Sequence, residues 1–107
     1  MTGRKPSRRR RPGRLHLAPG AVFRVIDDHE GCLLDVKHKR FYGANAAGVC
    51  LLRALERGAT VSELVLDLAA RFSRPRTSCE REVGAFLKAL ERAGLLREGA
   101  GADRERP

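Results

Sequence analysis

"LLDVKHKRFYGANAAG", Leu33 to Gly48, changes conformation twice within a short span. Leu33-Leu34-Asp35-Val36 completes a strand that opens at Cys32. Lys37-His38-Lys39 is a polar turn between apolar runs, and Arg40-Phe41-Tyr42-Gly43 reads as a short aromatic strand. Asn45 is a favoured N-cap residue, because its side chain can accept from the free N–H groups of a first helical turn. Gly48, Leu51, Leu52 and Leu55 then follow at helical spacing. An aromatic pair therefore sits on a strand that runs straight into a helix cap. Neighbouring strand residues point to opposite faces. One of Phe41 and Tyr42 can thus pack into the core while the other lines a groove; the sequence leaves open which.

Reading outward, Val22-Phe23-Arg24-Val25-Ile26 is a strand, Asp27 to Gly31 a turn in which Gly31 can supply a positive φ, and Cys32 to Val36 the next strand. With Arg40–Gly43 these form a three-stranded antiparallel meander. Downstream, Gly58 ends the first helix. Thr60 and Glu63 have capping-box spacing and open a second, whose apolar face is Val61, Leu64, Val65, Leu68 and Phe72. Only Ala59 separates stop from cap, as in a helix-turn-helix junction. After a loop over Ser73–Ser78, a third helix carries Val83, Phe86, Leu87 and Leu90 on one face. Its start is either a Thr77–Glu80 capping box or Pro75 at the first helical position. Gly94 ends it, and Leu95-Leu96 is expected to fold back onto the core. A small sheet cannot bury its apolar face alone. The order βββααα therefore predicts an α+β, winged-helix-like domain.

The chain has 107 residues, enough for one domain with a modest core. Hydrophobic residues make up 42% and aromatics 5%, so aliphatic side chains must fill that core. The net charge of +9 is unevenly spread. Residues 1–14 hold seven Lys or Arg and no acid, which leaves 15 basic and 13 acidic residues elsewhere. The basicity is a property of the tail. Residues 1–14 are too polar to order themselves and are expected to be a disordered tail, residues 15–98 the domain, and 99–107 a second flexible tail. Cys32, Cys50 and Cys79 are widely spaced with no CxxC pair, which suits buried free thiols in a reducing, cytoplasmic setting. No apolar run is long enough for a membrane-spanning helix.

Nothing in the pattern indicates catalysis, and no Gly-rich phosphate loop or other cofactor motif is present. His16, His29 and His38 lie in a flank and two turns. His29 and Cys32 have the spacing of half a metal site, with no second pair to complete it. Asp27, Asp28 and Glu30 read as a solvated turn.

"GCLLDVKHKRFYGANAAGVCLLRALERGATVSELVLDLAARF", followed by "EREVGAFLKALERAGLL", resembles the PqqD-like family, whose members are also called RiPP recognition elements. The resemblance covers about Ala21 to Leu96. Its most specific features are the Leu-Leu-Asp strand, the aromatic pair before Asn45, Gly48 and the terminal Ala-Gly-Leu-Leu, in this order and spacing. It implies a winged-helix-like fold and a non-catalytic role: binding the leader segment of a ribosomally made precursor peptide and presenting it to tailoring enzymes. The leader pairs as an added strand with the third strand of the meander and lies against the third helix. Carried over by position, the pairing edge is Arg40, Phe41, Tyr42 and Gly43, and the helix wall comes from Glu82, Val83, Phe86, Leu87 and Leu90. Stand-alone chains of this size look most like the leader-binding proteins of lasso-peptide pathways, whose usual further partner is a cysteine-protease-type leader peptidase. Two departures stand out. Lys39 occupies a turn position where family members commonly have Gly, and Ala44 replaces a larger aliphatic residue before the cap.

Physical chemistry supports such a groove. Each added backbone hydrogen bond is worth about 1 kcal/mol net, while fixing each peptide residue costs about 1–2 kcal/mol. The ladder alone roughly cancels, so affinity must come from apolar leader side chains, at about 1.5–3 kcal/mol for each one buried. Two other function classes fit less well. A winged helix with an Arg-rich arm suits DNA binding, but the second and third helices expose mixed charges: Ser62, Glu63, Asp67 and Arg71 on one, Glu80, Arg81, Glu82, Lys88, Glu91 and Arg92 on the other. A general adaptor for an acidic protein is the remaining alternative.

Overall fold

A computed structural model describes residues 13–99. The elements are β1 (Leu15–Leu17), β2 (Ala21–Asp27), β3 (Glu30–Asp35), β4 (Arg40–Ala44), α1 (Ala46–Arg57), α2 (Val61–Phe72), α3 (Arg76–Arg92) and β5 (Leu96–Glu98). β2, β3 and β4 form the expected antiparallel meander, in that order, followed by the three expected helices. The basic stretch of residues 1–12 and the tail of residues 100–107 lie outside the described residues. Arg14 is joined to the domain: its guanidinium donates to both carboxylate oxygens of Glu63 at 2.9 and 3.1 Å, and its carbonyl accepts from Gly99 N at 2.7 Å.

α1 is the centre of the core. Val49, Leu51, Leu52 and Leu55 are all at most 2% exposed. The inner sheet face supplies Phe23 and Leu33, α2 supplies Leu64, Val65 and Leu68, and α3 supplies Cys79, Val83 and Leu90. Val61, expected on the buried face of α2, is 50% exposed, because it occupies the first turn at the rim.

The caps follow the residue chemistry. Asn45 accepts from Gly48 N at 3.0 Å. The Thr60–Glu63 capping box closes in both directions. Gly58 has φ 95° and lies against the His16 ring, where a Cβ would collide with Nε2. α3 starts in neither expected way. Pro75 is its N-cap rather than its first helical residue, and no side chain caps the end. Proline at this place presets the extended entry and has no N–H to satisfy.

Two further differences concern the strands. β1 and β5 were not expected as strands; they pair antiparallel, with Leu17 opposite Leu96, and clasp the two ends of the domain. β1 also brackets the α1–α2 junction, since Leu15 and Ala59 exchange backbone hydrogen bonds of 2.8 and 3.0 Å. Gly31 does not have a positive φ. It is required by crowding: a Cβ there would lie 2.9 Å from the Arg24 carbonyl and 3.2 Å from Phe23 and Val49.

Candidate functional site

β4 is an edge strand: among the described residues it pairs with β3 on one side and with no strand on the other. Its register fixes what each residue faces. Phe23, Leu33 and Tyr42 lie in one cross-strand row, and Val22, Leu34 and Phe41 in the next. Phe23 and Leu33 are core residues, so Tyr42 is on the helix side and Phe41 on the outer side. Phe41 is 72% exposed and Tyr42 37%. The expectation that one aromatic enters the core is therefore corrected. The inner face is already filled by Phe23, Leu33 and α1, and no layer covers the outer face among the described residues.

Between β4 and α3 runs an apolar slot of about 150 Å³. Tyr42, Gly43 and Ala44 form the strand wall, and Phe86, Ala89, Leu90 and Ala93 the helix wall. The four helix residues lie on one α-helical stripe, with Phe86 three and four residues before Ala89 and Leu90, and Ala93 four and three residues after them. Leu33, Leu52 and Leu95 close the floor. A cavity of roughly this size accepts a benzene-sized group, so the slot has room for one apolar side chain. Gly48 brings the first turn of α1 close to both walls: a Cβ there would lie 3.1 Å from Ala44 Cβ and 3.9 Å from Phe86. The Asn45 cap thus fixes the point where the strand wall becomes the core helix.

The residues singled out from sequence divide as follows. Tyr42, Gly43, Phe86 and Leu90 line the slot. Arg40 and Phe41 belong to the same strand but not to the lining; Arg40 lies opposite Asp35. Val83 is fully buried and offers no surface to the slot. Leu87 is half-buried against the core, and Glu82 accepts a hydrogen bond from the Arg74 guanidinium. Ala89 and Ala93 were not singled out. Their signal was present, as two small residues one turn apart on the stripe of Phe86 and Leu90.

The hairpin that aims β4 is held by a buried carboxylate. Asp35 is 3% exposed; its oxygens accept from His38 N at 3.2 Å and meet His38 Nδ1 at 2.8 Å. Burial pushes the Asp35 carboxyl up, but the His38 hydrogen bonds, with the charges of His38 and Arg40, bring it below its ordinary value. The turn closes with Lys39 at φ 56°, the left-handed conformation that favours glycine. On another side of the molecule, burial and the neighbouring Asp67 push the Cys50 thiol up to about 11. At neutral pH it stays protonated and is a poor nucleophile. Among the described residues no three His, Cys, Asp or Glu side chains gather as metal ligands, and no helix is long and apolar enough to cross a membrane.

The sequence and the fold match known proteins. The profile of coenzyme PQQ synthesis protein D (PqqD) matches residues 30–96, which include β4, α3 and the whole slot. The chain belongs to the PqqD family. The solved structure of "TbiB1 in complex with the TbiA(beta) leader peptide" is 32% identical, with 77% of this chain and 94% of that chain covered and a TM-score of 0.71. "Lasso peptide synthetase B1 complexed with the leader peptide" shares the fold at 20% identity, with 78% and 96% covered and a TM-score of 0.66. No curated protein sequence matches this PqqD-family chain.

Proposed function

We propose that this PqqD-family chain recognises the leader segment of a ribosomally synthesised precursor peptide and performs no chemistry on it. The leader adds a strand to β4 and lies against α3, and the bound precursor is thereby delivered to maturation enzymes, a leader peptidase among them. The observation that carries this reading is the edge of β4, unpaired among the described residues, running beside an apolar slot lined by Tyr42, Phe86, Ala89 and Ala93. An open edge supplies hydrogen bonds to an extended peptide, and the slot supplies the side-chain burial that makes binding favourable. The family membership and the leader-bound state of a 32%-identical structure support it.

The test separates peptide from nucleic acid. The chain is truncated after Pro12, which keeps the Arg14–Glu63 pair, and is titrated with the TbiA(beta) leader, with further candidate leaders, and with duplex DNA at two salt concentrations. The proposal expects leader binding to survive truncation with a weak salt dependence. Binding to DNA alone, with a steep salt slope that disappears on truncation, would replace it with the nucleic-acid reading.

A further inference from the structure

The outer face of the sheet carries an apolar row, is open among the described residues and takes no part in the leader site. Val22, Leu34 and Phe41 lie in one cross-strand row, and Val36, in the turn just past β3, continues the ladder by donating its N–H to the Gly20 carbonyl at 3.0 Å. Phe41 is 72% and Val36 60% exposed, while Val22 and Leu34 are half-buried. The helices and the core lie on the opposite side of the sheet. Exposed apolar groups placed contiguously mark an interaction surface rather than ordinary scatter.

The charges around this face select its occupant. Arg24 projects from the outer face one row away from Val22, and Lys37 and Lys39 are exposed in the same hairpin turn as Val36. Asp35 is buried on the inner side and held by His38, and Glu30, the carboxylate on the outer side of β3, lies at the end of the strand away from Val36 and the turn. A second copy laid with its hairpin turn against this one would bring the same cations face to face. The chain's own first 12 residues carry six Lys or Arg and no acid, so they are repelled as well. We infer that this face docks an acidic amphipathic segment of a partner protein, with apolar side chains on the Val22–Leu34–Phe41 row and carboxylates toward Arg24, Lys37 and Lys39. Because Phe41 and Tyr42 are adjacent on β4 but face opposite ways, one strand serves two ligands. The inference draws on the leader reading only for its purpose, which is to hold a partner beside the captured peptide.

The probe is acetyl-(Leu-Glu)₄-amide, with acetyl-(Leu-Lys)₄-amide as the charge-inverted control, titrated into the isotopically labelled full chain. The inference expects the acidic peptide to shift the side-chain resonances of Val22, Leu34, Val36 and Phe41, the basic peptide to shift none of them, and added salt to weaken the effect. Phe41→Ser should weaken binding of the acidic peptide at least 10-fold, and Val36→Ser should weaken it in the same direction. Equal binding of both peptides, shifts confined to Tyr42 and Phe86, or unchanged affinity in Phe41→Ser would overturn the inference. So would a dimer in sedimentation velocity that Phe41→Ser dissolves, since the face would then belong to a second copy. Leader binding is measured in the same variants. If the unmodified chain binds no leader, the leader reading fails while the peptide-docking result still stands or falls on its own.

Discussion

Replacing Ala89 with Leu should close the slot without disturbing the fold. Ala89 is exposed, in the middle of α3, on the wall facing Tyr42. Leu and Ala differ little in helix propensity, so stability should change by less than about 0.5 kcal/mol. The added isobutyl group would occupy much of a slot of about 150 Å³. A leader side chain shut out of that space forfeits about 1.5–3 kcal/mol of burial, or roughly a 10- to 150-fold rise in Kd. Isothermal titration calorimetry with a leader that binds the unmodified chain measures the loss, and thermal unfolding checks the fold. A variant that unfolds normally and binds the leader with unchanged affinity would show that the slot between β4 and α3 does not receive the peptide.

Four other outcomes follow from the geometry. Tyr42→Ala should weaken leader binding by about 1–2 kcal/mol, whereas Phe41→Ala, on the far face of the same strand, should leave it within twofold in the same titration. Lys39→Gly should raise stability by about 0.5–1 kcal/mol in chemical denaturation, because relief of left-handed strain exceeds the extra entropy of glycine in the unfolded chain. Gly58→Ala should cost about 1–3 kcal/mol through its backbone conformation, with further loss against His16, seen as a drop in Tm. Asp35 has a lowered pKa in the fold, so its contribution is complete above the ordinary value of 3.8 and is lost as pH falls through the lowered folded value. Asp35→Asn should therefore destabilise at neutral pH and flatten the acid limb of a stability–pH curve; an acid limb as steep as that of the unmodified chain would count against this role.

Much of the fold was legible because local chemistry and global packing agree. Asn45, Gly58, Thr60 and Glu63 each do in the structure what their side chains or backbone freedom suggest. β1 was not legible, because Leu-His-Leu is too short to show a period, and its pairing with β5 depends on residues at opposite ends of the domain. The start of α3 was ambiguous because Pro75, Thr77 and Glu80 offer competing caps and the tertiary path chooses among them. The site was half legible. Phe41 and Tyr42 were recognisable as a pair, but Leu33 and Leu34 opposite them are both apolar, so alternation could not orient the strand. On α3 the large apolar residues include Val83, which is core, whereas Ala89 and Ala93 open the slot through their small size. A groove is made as much by what is absent from a helix face as by what is present.

The most direct measurement of the central claim is a set of intermolecular nuclear Overhauser effects between a bound leader peptide and the labelled chain. The account predicts cross-strand backbone contacts from the leader to residues of Arg40–Ala44, with leader side-chain protons close to the rings of Tyr42 and Phe86. A leader whose contacts fall elsewhere on the domain, with β4 showing none, would contradict it.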